Sequence, residues 1–168
     1  MGYLEQILMK ELSIKGTDKK VLLDDEDFER IASFNWKITD SRNDGTGLTI
    51  RWFSAVGKRW TPIANIVLFK HKGLMIDHKD RNPFNNQKDN LRISSHSQNN
   101  QNKGKQRNSS SKYKGVTLHK RLQKFQVSIM LNGKSKFLGT FTDEIEAAKV
   151  YDKHAKIMFG EFAYLNFP

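Results

Sequence analysis

The chain has 168 residues, no cysteine, a net charge of +11 and a pI near 9.8. Disulfides and thiolate-held zinc are therefore excluded, and no apolar run approaches the roughly 20 residues that span a bilayer. Hydrophobic residues at 37% and charged residues at 28% support folded domains with modest cores rather than a disordered chain. The basic balance favours a nucleic acid or another anionic surface as partner, with a merely solvated basic surface as the plain alternative. The charge is uneven. Residues 1–102 hold 16 Lys/Arg against 13 Asp/Glu, and residues 103–168 hold 13 against 5. The start of the chain lacks a basic region and a small-residue cleavage site, so no signal peptide is expected.

Taken in order, residues 11–16 read as a strand leading to a turn and residues 20–23 as a second strand. Asp24 to Asp27 place acids at a helix start, with Phe28, Ile31 and Ala32 as its apolar face. Trp36 and Ile38, and then residues 48–53, alternate as strands, with Asn43-Asp44-Gly45 as a hairpin turn between them. Thr61-Pro62 opens a short helix with Pro in its first turn, and Ile63, Ile66, Val67 and Phe69 read as core. Residues 74–76 form a short buried strand that ends at Asp77-His78. A polar loop over 79–89 and a return strand over 91–94 follow. Ser94 or Ser95 can cap the next helix, which runs through His96 and Asn99.

Residues 103–112 contain no apolar side chain and read as a linker or basic strap. Three strands follow, over 113–119, 124–131 and 135–141, with Asn132-Gly133 as a hairpin turn. The middle one alternates cleanly, Phe125, Val127, Ile129 and Leu131 against Gln126, Ser128 and Met130. Thr142 can cap a last helix with Ile145, Ala148, Tyr151, His154 or Ala155, and Met158 at helical spacing.

Residues 76–102 carry the candidate chemistry. Phosphodiester hydrolysis needs an activated water, a screened phosphate and a stabilised leaving oxygen. Asp77 is a hard oxygen ligand for a divalent cation, and His78 beside it is a suitable base. An amide carbonyl such as Asn99 can be a second ligand, and Asn90 can hold the imidazole through its side-chain or main-chain carbonyl. His96 is a rival ligand three residues before Asn99, and an Asp-His pair alone is more often plain surface.

The pattern Ile76-Asp77-His78, Asn85-Asn86, Asn90-Leu91-Arg92 and Asn99 resembles the HNH nucleases, in the phage and intron-encoded homing subgroup. The resemblance implies an α+β fold with an N-terminal ββα-metal nuclease domain. It implies Asp77 and Asn99 as ligands of one divalent ion, Mg²⁺ with Mn²⁺ as the alternative. It also implies His78 as general base and Asn90 as the residue that positions it. Where relatives often show His-Arg in the helix before the motif, this chain has Ala64-Asn65.

Residues 111–168 resemble the DNA-binding domain of plant ethylene-response factors, the Apetala type. The matches are Tyr113-Lys114-Gly115-Val116, Lys124-Phe125, Phe137-Leu138-Gly139-Thr140-Phe141, Glu146-Ala147-Ala148, Ala155 and Leu165-Asn166-Phe167-Pro168. The resemblance implies a three-stranded antiparallel sheet packed on one helix. The sheet's other face would meet duplex DNA through Lys114, Thr117, His119, Arg121, Lys124, Gln126, Ser128, Met130 and Lys136. Thr117, Ser128 and Met130 stand where plant members use Arg and Glu, so the plant target sequence does not transfer.

The expected organisation is a nuclease domain over 1–102, a basic linker over 103–112 and a DNA-binding domain over 113–168. The expected function is metal-dependent nicking or cleavage of double-stranded DNA, by a monomer on DNA or a dimer, in the cytoplasm of a bacterial or phage-infected cell. The alternatives are a non-catalytic DNA-binding regulator with a relic nuclease domain, and an RNA-binding protein. The second is disfavoured because the C-terminal sheet lacks an obvious row of exposed aromatics.

Overall fold

A computed structural model describes residues 9–40, 48–54, 59–69 and 75–168. The chain divides into two compact units, residues 1–94 and 95–168. The division falls ahead of the expected domain boundary, because the last helix of the nuclease-like segment makes its contacts with the C-terminal elements.

In the first unit, β1 (Met9–Ser13) pairs antiparallel with β2 (Lys20–Asp24). Helix α1 (Asp25–Ala32) follows directly, with Asp25, Glu26 and Asp27 in its first turn, where the helix dipole favours acids. A second sheet has the order β3 (Trp36–Asp40), β4 (Leu48–Ser54), β5 (Arg59–Pro62), all antiparallel. The Asn43-Asp44-Gly45 turn lies outside the described residues. Strand β5 is not evident from the sequence, because Pro62 marks the helix that follows more strongly than the strand it ends. That helix, α2 (Ile63–Val67), buries Ile63, Ala64 and Val67. Phe69, expected in the core, is 69% exposed. The helix ends two residues earlier and Phe69 takes φ of 46°, which turns its ring out beneath the Arg30 guanidinium at 4.5 Å.

The core of this unit gathers Ile14, Val21, Leu23, Ile31, Ile50 and Leu91. Burying each such side chain contributes about 1.5–3 kcal/mol. Trp36 is buried as well, and its indole N–H donates to the Ile31 carbonyl at 2.9 Å. The unit ends with the two-stranded sheet of β6 (Met75–His78) and β7 (Leu91–Ser94).

The second unit opens with α3 (His96–Asn102). Ser95 accepts the Gln98 amide N–H, while the Gln98 side chain accepts from the Ser95 N–H, a reciprocal capping box. Next comes a sheet of β8 (Val116–His119), β9 (Lys124–Leu131) and β10 (Lys134–Phe141), in the order β10-β9-β8 and antiparallel throughout. Asn132 and Gly133 both take positive φ, as a two-residue hairpin turn requires. Helix α4 (Glu144–Phe159) covers one face, burying Ala147, Ala148, Tyr151 and Ala155 against Val116, Val127 and Ile129. Its cap is Asp143 rather than Thr142, and Ile145 is 44% exposed because the buried stripe runs through Ala147 instead.

The segment expected as a linker is pinned to this unit by its serines. Ser109 Oγ donates to the Val116 carbonyl, Ser110 Oγ accepts from Leu118 N–H, and buried Ser111 donates to Glu144.

Gly115 sits where only glycine fits. Its φ is +78°, and a β-carbon there would lie 2.0 Å from the buried Tyr151 ring. Gly115→Ala should cost about 3 kcal/mol or more in urea denaturation, from overpacking plus backbone strain, and a loss below about 1 kcal/mol would contradict this packing.

Candidate active site

The site is built from β6, the loop after it and β7. Strand β6 runs through both Asp77 and His78, with Asp77 opposite Arg92 and His78 opposite Leu91. Asp77 is 5% exposed. Its Oδ2 accepts from Arg92 Nε at 2.9 Å and from an Arg92 terminal nitrogen at 2.7 Å. Charge-assisted bonds of this kind are about twice as strong as neutral ones and fix the carboxylate's orientation. Arg92 thus joins the candidate site through Asp77, and its place in the Asn90-Leu91-Arg92 match is the sequence signal for it.

His78 closes the strand. Its Nε2 lies 3.2 Å from Asn86 Oδ1. The Asn86 amide nitrogen donates to the Pro83 carbonyl at 2.9 Å, so the side-chain oxygen is the atom turned to the ring. His78 Nε2 is therefore the donor, and the lone pair of the neutral ring lies on Nδ1. Burial holds the ring below the ordinary histidine pKa of 6.5. The Asn86 bond opposes that shift, as do the nearby carboxylates of Asp80 and Asp77.

Asn86 is fully buried, and its position comes from the scaffold. Its main-chain N–H donates to the Leu22 carbonyl at 2.9 Å, and Leu22 N–H donates to the Phe84 carbonyl at 2.8 Å. Leu22 and Asn85 form a parallel bridge. Asp24 adds a second tie. It stands at the start of α1 without capping it, and its carboxylate accepts Lys88 N–H at 2.8 Å and the Gln87 amide at 3.3 Å.

Asn90 was expected to touch the imidazole. Its described bonds brace the loop instead. Its Oδ1 accepts Asp80 N–H, and its amide donates to Asp80 Oδ1 and to the Asn85 carbonyl. Its main-chain carbonyl accepts Lys79 N–H at 2.9 Å. Asp80 also accepts from Asn82 N–H and the Asn85 amide. Asn90 thus braces the loop that carries Asn86. Asn86 lies in the Asn85-Asn86 part of the matched pattern, which gives it no role of its own, and Asp80 carries no sequence signal, since the work of both depends on loop closure.

Asn99 lies half-buried on α3 in the second unit, and His96, one residue past the cap, is exposed. Among the described residues no three His, Cys, Asp or Glu side chains gather into a metal cage. The buried Asp77 carboxylate fits a hard cation of the Mg²⁺ kind, which commonly binds through one or two carboxylates and completes its shell with water and substrate oxygens.

In the second unit, Thr117, His119, Lys124, Gln126, Ser128 and Met130 share the sheet face turned away from α4. Arg121 is exposed in the β8–β9 turn. Lys136 pairs with Ile129, which puts it on the other register face. Lys114 is engaged within the unit: its ammonium donates to the carbonyls of Gln101 at 2.6 Å and Lys103 at 2.5 Å, at the end of α3.

Residues 63–101 match the HNH endonuclease family. The HNH segment thus runs from α2 through α3 and holds Asp77, His78, Asn86, Asn90, Arg92 and Asn99. The chain is also similar to an uncharacterized HNH endonuclease of Acanthamoeba polyphaga mimivirus, 34% identical over 93 residues. That alignment covers 55% of this chain and 47% of the mimivirus protein, so the chain spans about half the length of the relative it matches. No solved structure matches. No helix among the described residues is long and apolar enough to cross a membrane.

The ring environment has a direct consequence. NMR titration of His78 in metal-free protein should give a midpoint below 6.5. A midpoint at or above that value would contradict the dominance of burial.

Proposed function

We propose that the chain is a metal-dependent HNH endonuclease of the homing type. It hydrolyses phosphodiester bonds of duplex DNA, and its second unit binds the duplex and places the cut. The observation that carries the reading is the HNH match over 63–101 together with a half-buried, neutral-leaning His78 beside the buried Asp77. His78 Nδ1 takes the proton of the attacking water, and a lowered pKa keeps the ring in its basic form at neutral pH. Asn86 holds the ring's tautomer, Asn90 braces the loop, and Arg92 orients Asp77.

Asp77 and Asn99 are the residues assigned to hold one divalent ion, Mg²⁺ with Mn²⁺ as the alternative. When bound, such an ion screens the phosphate charge and stabilises the leaving oxygen. The basic sheet of the second unit supports duplex binding, with Lys124 and Arg121 attracting phosphates, and Gln126, Ser128, Thr117 and His119 in reach of base edges. This use of the sheet is what the resemblance to the ethylene-response-factor domain implies.

Plasmid nicking tests the reading. Asp77→Ala and His78→Ala should each lower nicking by about a hundredfold or more while leaving duplex affinity within a few-fold. EDTA should abolish nicking by the unaltered chain. Undiminished nicking by either variant would overturn the assignment.

A further inference from the structure

The β3–β4–β5 sheet of the first unit has two faces with opposite characters. One buries Trp36 and Ile50 and packs Trp52 against the Phe34 ring at 4.4 Å between centroids. The other carries Lys37, Arg51, Phe53 and Trp60, as strand alternation and register require. Phe53 and Trp60 are cross-strand partners, 45% and 43% exposed, with ring centroids 5.3 Å apart. Lys37 is exposed and stands directly opposite Arg51.

This pairing is unfavourable in the isolated fold. Like charges directly opposite in a ladder are destabilising, and neither side chain has an ion-pair partner among the described residues. Arg51 Nε is buried without a hydrogen-bond partner there. Two exposed rings beside two unneutralised cations suit a partner that brings both π-faces and negative charge. The adjacent cleft is about 250 Å³ and is lined by Asn35, Lys37, Trp52, Phe53 and Trp60. That is below the roughly 300–1,000 Å³ of sites that enclose a whole small molecule. It suits one planar base laid on an open strand.

We propose that this face binds single-stranded DNA, with bases stacked on Phe53 and Trp60 and phosphates drawn to Lys37 and Arg51. The surface uses none of the side chains of the candidate active site or of the second unit's sheet, and the proposal goes beyond cleavage. It would hold unpaired nucleotides by a sequence-tolerant mechanism, since every base has a face to stack.

The test is fluorescence anisotropy of the full chain in EDTA. The probes are a labelled single-stranded DNA oligonucleotide of mixed sequence and the duplex of the same sequence. Phe53→Ala/Trp60→Ala should weaken single-strand binding about tenfold or more and change duplex binding less than about twofold. Trp60→Phe should keep most of the single-strand affinity. Lys37→Gln, at an exposed position that cannot disturb the core, should lower the log–log salt slope of single-strand binding by about 0.7. If the double variant loses its cooperative melt, the Lys37→Gln slope carries the test. The proposal is overturned by equal losses on both probes, by no loss on the single strand, or by an unchanged slope. It is also overturned if sedimentation shows a dimer that the double variant dissociates, which would make the face a contact between copies. No cleavage enters these measurements, so their outcome is independent of the nuclease reading.

Discussion

The loop between β6 and β7 forms no strand of its own, and its backbone is paired to β2 around Leu22. Two main-chain hydrogen bonds, at 2.8 and 2.9 Å, stitch Phe84 and Asn86 to that strand. Each contributes only about 1 kcal/mol net, yet the geometry they enforce is what matters. They bury Asn86 completely, and a buried amide must satisfy its groups from whatever lies nearby. Its nitrogen finds Pro83 and its oxygen finds His78. The tautomer of the proposed base is thus tied to a main-chain pairing with the N-terminal hairpin, while burial gives the direction of its pKa shift. The acids of the same region join in, with Asp24 turned from its own helix to the loop at Lys88.

The loop itself is a closed polar network rather than a flexible connection. Asp80 collects Asn82, Asn85 and Asn90, and Asn90 returns a bond to Asp80 N–H. Arg81 takes φ of 64° to make the turn, and its N–H donates to the His78 carbonyl. The density of Asn in this stretch therefore has a mechanical reason: short amides can donate and accept within a tight loop. In the second unit a comparable economy holds α3. The helix is capped at its start by Ser95 and Gln98, and its last carbonyls are taken by Lys114 and by Tyr164 N–H.

Local patterns were legible where a local force decides the structure. The alternation of 124–131 and the Asn132-Gly133 turn define β9 and its hairpin with β10, and the Ser95 cap places the start of α3. Strand β5 was not legible, because the four residues from Arg59 to Pro62 gain strand character only from pairing with β4. Phe69 reads as core by spacing, but α2 stops at Val67 and the spacing no longer applies. In the site, Asp77 and His78 stand out as a motif. Asn86 and Arg92 fall within the matched pattern, but their parts arise only when β2 and β7 come together with β6, so chain order alone does not show what they do.

The central claim is that Asn86, held by β2, fixes His78 with its proton on Nε2. Ring nitrogen chemical shifts of His78 in ¹⁵N-labelled protein, recorded above pH 7 with and without Asn86→Ala, test it most directly. The account predicts an Nε2–H tautomer in the unaltered chain that Asn86→Ala converts to a mixture, with single-turnover cleavage falling by about ten- to a hundredfold, as when a group orienting a site residue is removed. An Nδ1–H tautomer in the unaltered chain, or a tautomer and rate untouched by Asn86→Ala, would contradict it.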